Sequence, residues 1–67
     1  MSDHVYKSID VTGSGESVDA AIRRAVSKAS ESLRHISWFE VDAIRGHVED
    51  GAVAHVQVTL KIGFRLE

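Results

Sequence analysis

The chain has 67 residues, no cysteine and a formal net charge of −2, from eight lysines and arginines against ten aspartates and glutamates. This balance lacks the basic excess that nucleic-acid-binding proteins carry, and the missing cysteines exclude disulfide stabilisation. The chain also shows neither a leader peptide nor an apolar run of about 18 residues, so we expect a cytoplasmic protein without a membrane span. We expect one domain over residues 1–67, and because so small a domain is marginally stable by itself, we expect it to self-associate.

The first predicted element is a strand over residues 4–12. Val5, Ile9 and Val11 alternate toward one side, and most of the segment is β-branched or aromatic. The glycine-containing segment 13–16 is predicted to end the strand. A Gly-Ser-Gly segment before a helix could also hold a phosphate, but this one lacks the further glycine and the lysine of established motifs and is a weak signal.

A helix is predicted from its N-cap, Ser17, to about Arg34, with Ser14 as the alternative N-cap. Apolar residues recur at the three-and-four spacing of one helical face. That face carries Val18, Ala21, Ile22, Ala25, Val26, Ala29 and Leu33. Because several of these residues are alanines, the helix is expected to approach a sheet closely.

Two further strands are predicted at residues 37–48 and 53–66. Asp50 and Gly51 lie between them and predict a tight hairpin, because both central turn positions favour positive φ. A right-handed crossover makes the first and second strands parallel, and the third strand fits between them. The predicted fold class is α+β, with β-α-β-β order, a three-stranded antiparallel sheet, a central third strand and one helix on one face.

The face of the sheet opposite the helix has no second helix to cover it. A two-residue turn places Trp38 opposite Gly63, and Gln57 opposite Ile44. The predicted uncovered residues are Trp38, Ile44, Val48, Val53 and Gln57. An exposed, half-apolar patch of this kind is typical of an interaction surface.

Polar residues around the hairpin leave two other functions open. An enzyme subunit could use His47, His55, Glu40 or Asp42, but the predicted register puts the two histidines on opposite faces. Since no cysteine or paired carboxylate completes a ligand set, we predict no metal site and no catalytic residue, and therefore no enzyme. A purely structural assembly module would use Trp38 only as an interface aromatic.

Short motifs along the chain resemble the dodecin family. They are Val5-Tyr6-Lys7, the turn at Gly13, Ala20-Ala21-Ile22, residues 33–41 (Leu-Arg-His-Ile-Ser-Trp-Phe-Glu-Val), Ile44-Arg45-Gly46, Gln57-Val58 and residues 62–67 (Ile-Gly-Phe-Arg-Leu-Glu). The resemblance covers nearly the whole chain. It implies a hollow homo-dodecamer of β-α-β-β subunits that binds flavins and stores or shields them, without turning over a substrate.

The resemblance also implies a site. Trp38 resembles the family tryptophan that stacks on the flavin isoalloxazine, and Gln57 is similar to the glutamine that hydrogen-bonds the flavin's polar edge. Arg45 and Arg65 resemble arginines near the phosphate of FMN, so FMN is favoured over riboflavin and FAD. Ser37 departs from the family motif beside the tryptophan and is included in the predicted site. Some family members bind coenzyme A, and no residue in this sequence specifically indicates coenzyme A binding.

The predicted register separates these residues. Trp38 and Gln57 share a face but lie about 20 Å apart along the ladder at ~3.3 Å per residue. We therefore expect different subunits to supply them to one flavin. Arg45 has the parity of the helix side unless a bulge at Gly46 re-aims it, whereas Arg65 has the parity of the uncovered face.

Overall fold

The computed structural model describes residues 3–66, which form one helix and three strands. In chain order these are β1 (Val5–Gly15), α1 (Val18–Ala29), β2 (Ile36–Glu49) and β3 (Ala52–Leu66). The strand order is β1-β3-β2, with β3 antiparallel to both neighbours. The predicted β-α-β-β fold with a central third strand is therefore confirmed.

Strand β1 continues through the glycine segment that the sequence predicts to end it. Gly13 and Gly15 both pair with β3, and α1 crosses directly above them. A Cβ built on Gly13 would lie only 2.8 Å from the Cβ of Ala25. These glycines therefore permit close helix–sheet contact and do not form a turn, so the predicted strand end is wrong.

Helix α1 begins as predicted and ends early. The hydroxyl of Ser17 accepts a hydrogen bond from the backbone N–H of Ala20 at 3.1 Å, which makes Ser17 the N-cap. The helix ends at Ala29, so the predicted end at Arg34 is wrong. His35 adopts a left-handed φ of 62°, which turns the chain out of the helical direction and into β2. No helix in residues 3–66 is long and apolar enough to cross a membrane.

The core lies between α1 and the face of β1 and β3 beneath it. Its buried residues are Ala21, Ala25, Ala29, Val58, Leu60 and Ile62. The predicted face of the helix is confirmed for the three alanines, and Ile22, Val26 and Leu33 are partly buried against this core, whereas Val18 is exposed. Because α1 packs mainly on β1 and β3, it leaves most of β2 uncovered on the same side.

The pairing of β2 with β3 shifts register along its length. Trp38 pairs with Gly63 as predicted, but Gln57 pairs with Arg45 and not with Ile44. One shift lies between residues 41 and 43, and another between residues 47 and 48. Because a one-residue shift moves every side chain to the other face, the segment between these shifts is inverted relative to the prediction.

We call the face opposite α1 the outer face. It carries Tyr6, Ser8, Asp10, Thr12 and Ser14 of β1, His55, Gln57, Thr59, Lys61, Gly63 and Arg65 of β3, and Trp38, Glu40, Ala43, Arg45 and His47 of β2. This face is mostly polar. The predicted assignment of Ile44, Val48 and Val53 to it is wrong: Ile44 pairs with buried Val58, and all three residues line a groove beside Val18 of α1.

Apart from Trp38, the exposed apolar residues of the hairpin lie on its helix side. This helix-side apolar surface consists of Phe39, Val41, Ile44, Val48 and Val53, each at least 37% exposed. Phe39 lines a groove with residues of α1, and the last three residues line another beside Val18. An apolar surface of this extent on so small a chain is typical of an interface.

The hairpin turn allows a direct test of backbone conformation. Asp50 and Gly51 have φ values of 52° and 76°, as the predicted turn requires. Gly51→Ala should lower the free energy of unfolding by about 1 kcal/mol, because alanine disfavours the left-handed region. A Cβ at Gly51 meets no atom within 4 Å, so no contact changes. Urea unfolding should show a smaller loss of unfolding free energy for Gly51→Asn than for Gly51→Ala, since asparagine tolerates this conformation. Equal losses would contradict this account of the turn.

Candidate functional site

Trp38 lies on the outer face, and its side chain lies over the residue that pairs with it on the neighbouring strand. The structure pairs it with Gly63 on β3, and the six-membered part of the indole fills the space above this glycine. A Cβ built on Gly63 would overlap three indole atoms, Cε2, Cζ2 and Cδ2. Gly63 is buried beneath the ring, whereas Trp38 is 40% exposed. The sheet therefore supports the indole from below and leaves part of it accessible.

The segment before Trp38 is held by backbone contacts. The carbonyl oxygen of His35 accepts hydrogen bonds from the Ser37 hydroxyl at 3.1 Å and from the Arg65 backbone N–H at 3.0 Å. Ser37 also lies at a register shift between Ile36 and Trp38. The Ser37 hydroxyl thus stabilises the entry to β2 next to the tryptophan.

Arg65 lies at the same end of the outer face. It pairs with Tyr6 of β1 and follows Gly63 as the next outer-face residue of β3. Its side chain is half-buried. Trp38, Gly63 and Arg65 therefore form one group of neighbours, which we call the tryptophan end.

Arg45 and Gln57 form a second group. They pair directly, and Arg45 Nε donates a hydrogen bond to Gln57 Oε1 at 3.3 Å. The helix-side parity expected for Arg45 is wrong, because the register shift re-aims it to the outer face. Gln57 is six residues from Gly63, which places the two groups about 20 Å apart along β3 at ~3.3 Å per residue. One chain therefore presents Trp38 and Gln57 at separate ends of the same face.

The two hairpin histidines lie together. His47 pairs with His55, and their rings stack with centroids 5.4 Å apart and planes at 17°, so the prediction of opposite faces is wrong. His47 Nε2 lies 3.5 Å from the Glu49 carboxylate. Across residues 3–66, however, no three histidines, cysteines or carboxylates are grouped to bind a metal ion. Glu40 pairs near the tryptophan end, and Asp42 lies at a register shift, so these carboxylates do not join the histidines.

Gly63 was not among the predicted site residues. Its signal in the sequence is a glycine within a strand that otherwise alternates cleanly, directly opposite the single tryptophan. A glycine at such a position often marks close approach of another group to the backbone. The weak phosphate-binding segment has no support, because Gly13 and Gly15 are paired within the sheet beneath α1.

The chain matches a known family over most of its length. The family model described as Dodecin matches residues 5–67. The chain belongs to the dodecin family. A dodecin of Thermus thermophilus is 47% identical over 64 residues, which cover 94% of this chain and 93% of that protein. The resemblance found in the sequence motifs is therefore confirmed.

Solved dodecin structures share the fold. Dodecin from Streptomyces coelicolor superposes with a TM-score of 0.91 at 54% identity, covering 100% of this chain and 97% of that one. Dodecin from Streptomyces davaonensis gives a TM-score of 0.91 at 48% identity, with 98% of both chains covered. Membership of the dodecin family implies a homo-oligomeric, flavin-binding protein.

Proposed function

We propose that this dodecin stores FMN by stacking its isoalloxazine ring on Trp38 and quenches the excited state of the bound flavin. The carrying observation is the partly exposed indole supported across Gly63 on an otherwise polar face. Stacking on an aromatic side chain contributes on the order of 1–3 kcal/mol per flat ring. An indole already held against the sheet has little side-chain freedom left to lose on binding, which favours affinity.

Gln57 suits the polar edge of the flavin. Its amide supplies both donors and an acceptor, which matches the alternating donors and acceptors of the pyrimidine portion of isoalloxazine. The Arg45 hydrogen bond to Oε1 restrains the amide orientation and leaves its NH₂ group available to donate. Gln57 is half-buried, so a ligand contact there would be partly shielded from water.

Because the two groups lie at separate ends of one chain, a complete site needs residues from more than one subunit. The gap of about 20 Å between them is longer than an isoalloxazine, at ~3.3 Å per strand residue. The helix-side apolar surface supplies an area that other copies can bury. We propose a hollow homo-dodecamer, and sedimentation should give a mass near twelve times 7.3 kDa. A monomer at micromolar concentration would contradict it.

The two outer-face arginines favour FMN over riboflavin. Arginine binds phosphate by charge-assisted hydrogen bonds, so Arg45→Ala should raise the Kd for FMN about tenfold and change that for riboflavin far less. Titrating both flavins against each variant measures this difference. Arg34→Ala is the matched control, because it removes an exposed arginine outside the outer face. Equal weakening of both flavins would show that Arg45 supports the site through Gln57 and not through the phosphate.

Flavin titration tests the proposal as a whole. Riboflavin, FMN and FAD are added to purified protein while flavin emission is recorded. We expect strong quenching of flavin emission, because indole is an electron donor to an excited flavin. FMN should bind most tightly of the three flavins. Denaturation should restore the emission. An assembled protein that leaves flavin emission unchanged would favour the structural assembly module instead.

We propose no enzymatic reaction. The stacked pair of His47 and His55 lies far along β3 from Glu40. Coenzyme A binding and a cytoplasmic location stay predictions.

A further inference from the structure

The environment of Gly63 is unusual for a central strand. All three of the nearest atoms to a Cβ built at this position belong to the indole of Trp38. The backbone of Gly63 is ordinary strand, without the positive φ that would itself require glycine. The requirement for glycine therefore arises from the tryptophan ring and not from the conformation of β3.

The neighbouring outer-face positions of β3 show what glycine avoids. Lys61 and Arg65 both carry side chains that rise from the sheet, as outer-face residues normally do. At Gly63 the backbone is bare, and the indole occupies the volume that a side chain would fill. With any side chain at this position, the indole would have to move away from the sheet.

We propose that Gly63 is a positioning residue for flavin binding. Because glycine has no side chain, the indole of Trp38 can contact the backbone at this position and keep one orientation toward the ligand. The inference rests on the proposed function, in which Trp38 is the stacking group. It adds a residue that contacts no flavin itself and acts through the tryptophan.

Gly63→Ala tests the inference. We expect the Kd for FMN to rise about tenfold, since much of a stacking contribution would be lost. The emission of the single tryptophan should shift in the flavin-free variant, because the displaced indole enters a different environment. Ser8→Ala, at the other cross-strand neighbour of Gly63, should leave both the Kd and the tryptophan emission unchanged.

A double variant separates positioning from a structural role. With Trp38→Ala already present, Gly63→Ala should change neither FMN binding nor the urea midpoint further. If Gly63→Ala misfolds by itself but folds together with Trp38→Ala, the ring clash is the cause and the inference holds. The inference is overturned if Gly63→Ala and the double variant both misfold. It is also overturned if Gly63→Ala binds FMN as tightly as the unaltered chain while Trp38→Ala loses FMN binding. Normal FMN binding by Trp38→Ala would instead overturn the proposed function.

Discussion

Replacing Trp38 with alanine should weaken FMN binding by about a hundredfold, within the 1–3 kcal/mol that ring stacking provides. The indole is 40% exposed and lies outside the buried core, so its removal should leave the fold intact. Fluorescence titration with FMN measures the affinity, and circular dichroism with sedimentation checks fold and assembly. Quenching of the bound flavin should disappear as well, because the electron donor has been removed.

Tyr6→Ala provides the matched control for this experiment. Tyr6 is an aromatic residue with 45% exposure, and it pairs with Arg65 next to the tryptophan end. Its loss removes an exposed aromatic of similar accessibility without touching the indole. Trp38→Phe should bind with intermediate affinity, since a smaller ring offers less stacking area. If Trp38→Ala loses assembly while Tyr6→Ala does not, the result favours the structural assembly module, in which the tryptophan is an interface aromatic.

Replacing Leu60 with alanine should lower the free energy of unfolding by about 3 kcal/mol, within the usual range for a buried leucine. Leu60 is 0% exposed and lies in the cluster between α1 and β3. The loss combines the removed apolar contact with the cavity left behind, which the close-packed alanines of α1 cannot fill. Such a loss is a large part of the stability of a small domain. Urea unfolding measures it at one fixed protein concentration, because self-association couples stability to concentration.

Leu66→Ala is the control for the core experiment. Leu66 belongs to the same strand and is 47% exposed, so its truncation removes far less buried contact within the chain. We expect its cost to stay below about 1 kcal/mol, as for most exposed positions. If the two substitutions lowered the free energy of unfolding equally, the assignment of Leu60 to the core and of Leu66 to the exposed part of the strand would be contradicted.

The sequence predicts the architecture well where local chemistry decides it. The alternation along residues 53–66, the turn at Asp50 and Gly51, and the alanine face of the helix all predict elements that the structure contains. Each of these signals acts over only a few residues. The outward position of Trp38 follows from the same alternation, because its pairing with Gly63 lies outside the inverted segment.

The predictions that were wrong concern residues whose position depends on distant contacts. Gly13 resembles a strand end locally, yet β1 continues because α1 needs a bare backbone beneath Ala25. Ile44 and Arg45 exchange faces because of a register shift between β2 and β3. The exchange places the isoleucine beside buried Val58 and the arginine on the polar outer face. The charged group is then not buried against the core, which lowers the free energy of the folded state.

By itself, the sequence determined the order of the elements, the hairpin, the alanine face of the helix and the side of the sheet on which Trp38 lies, because periodicity and turn chemistry are local. Only the tertiary structure decided that Arg45 meets Gln57, that His47 stacks on His55 and that the indole rests across Gly63. These contacts depend on the register between strands, which a shift of one residue reverses and which packing across the whole sheet selects.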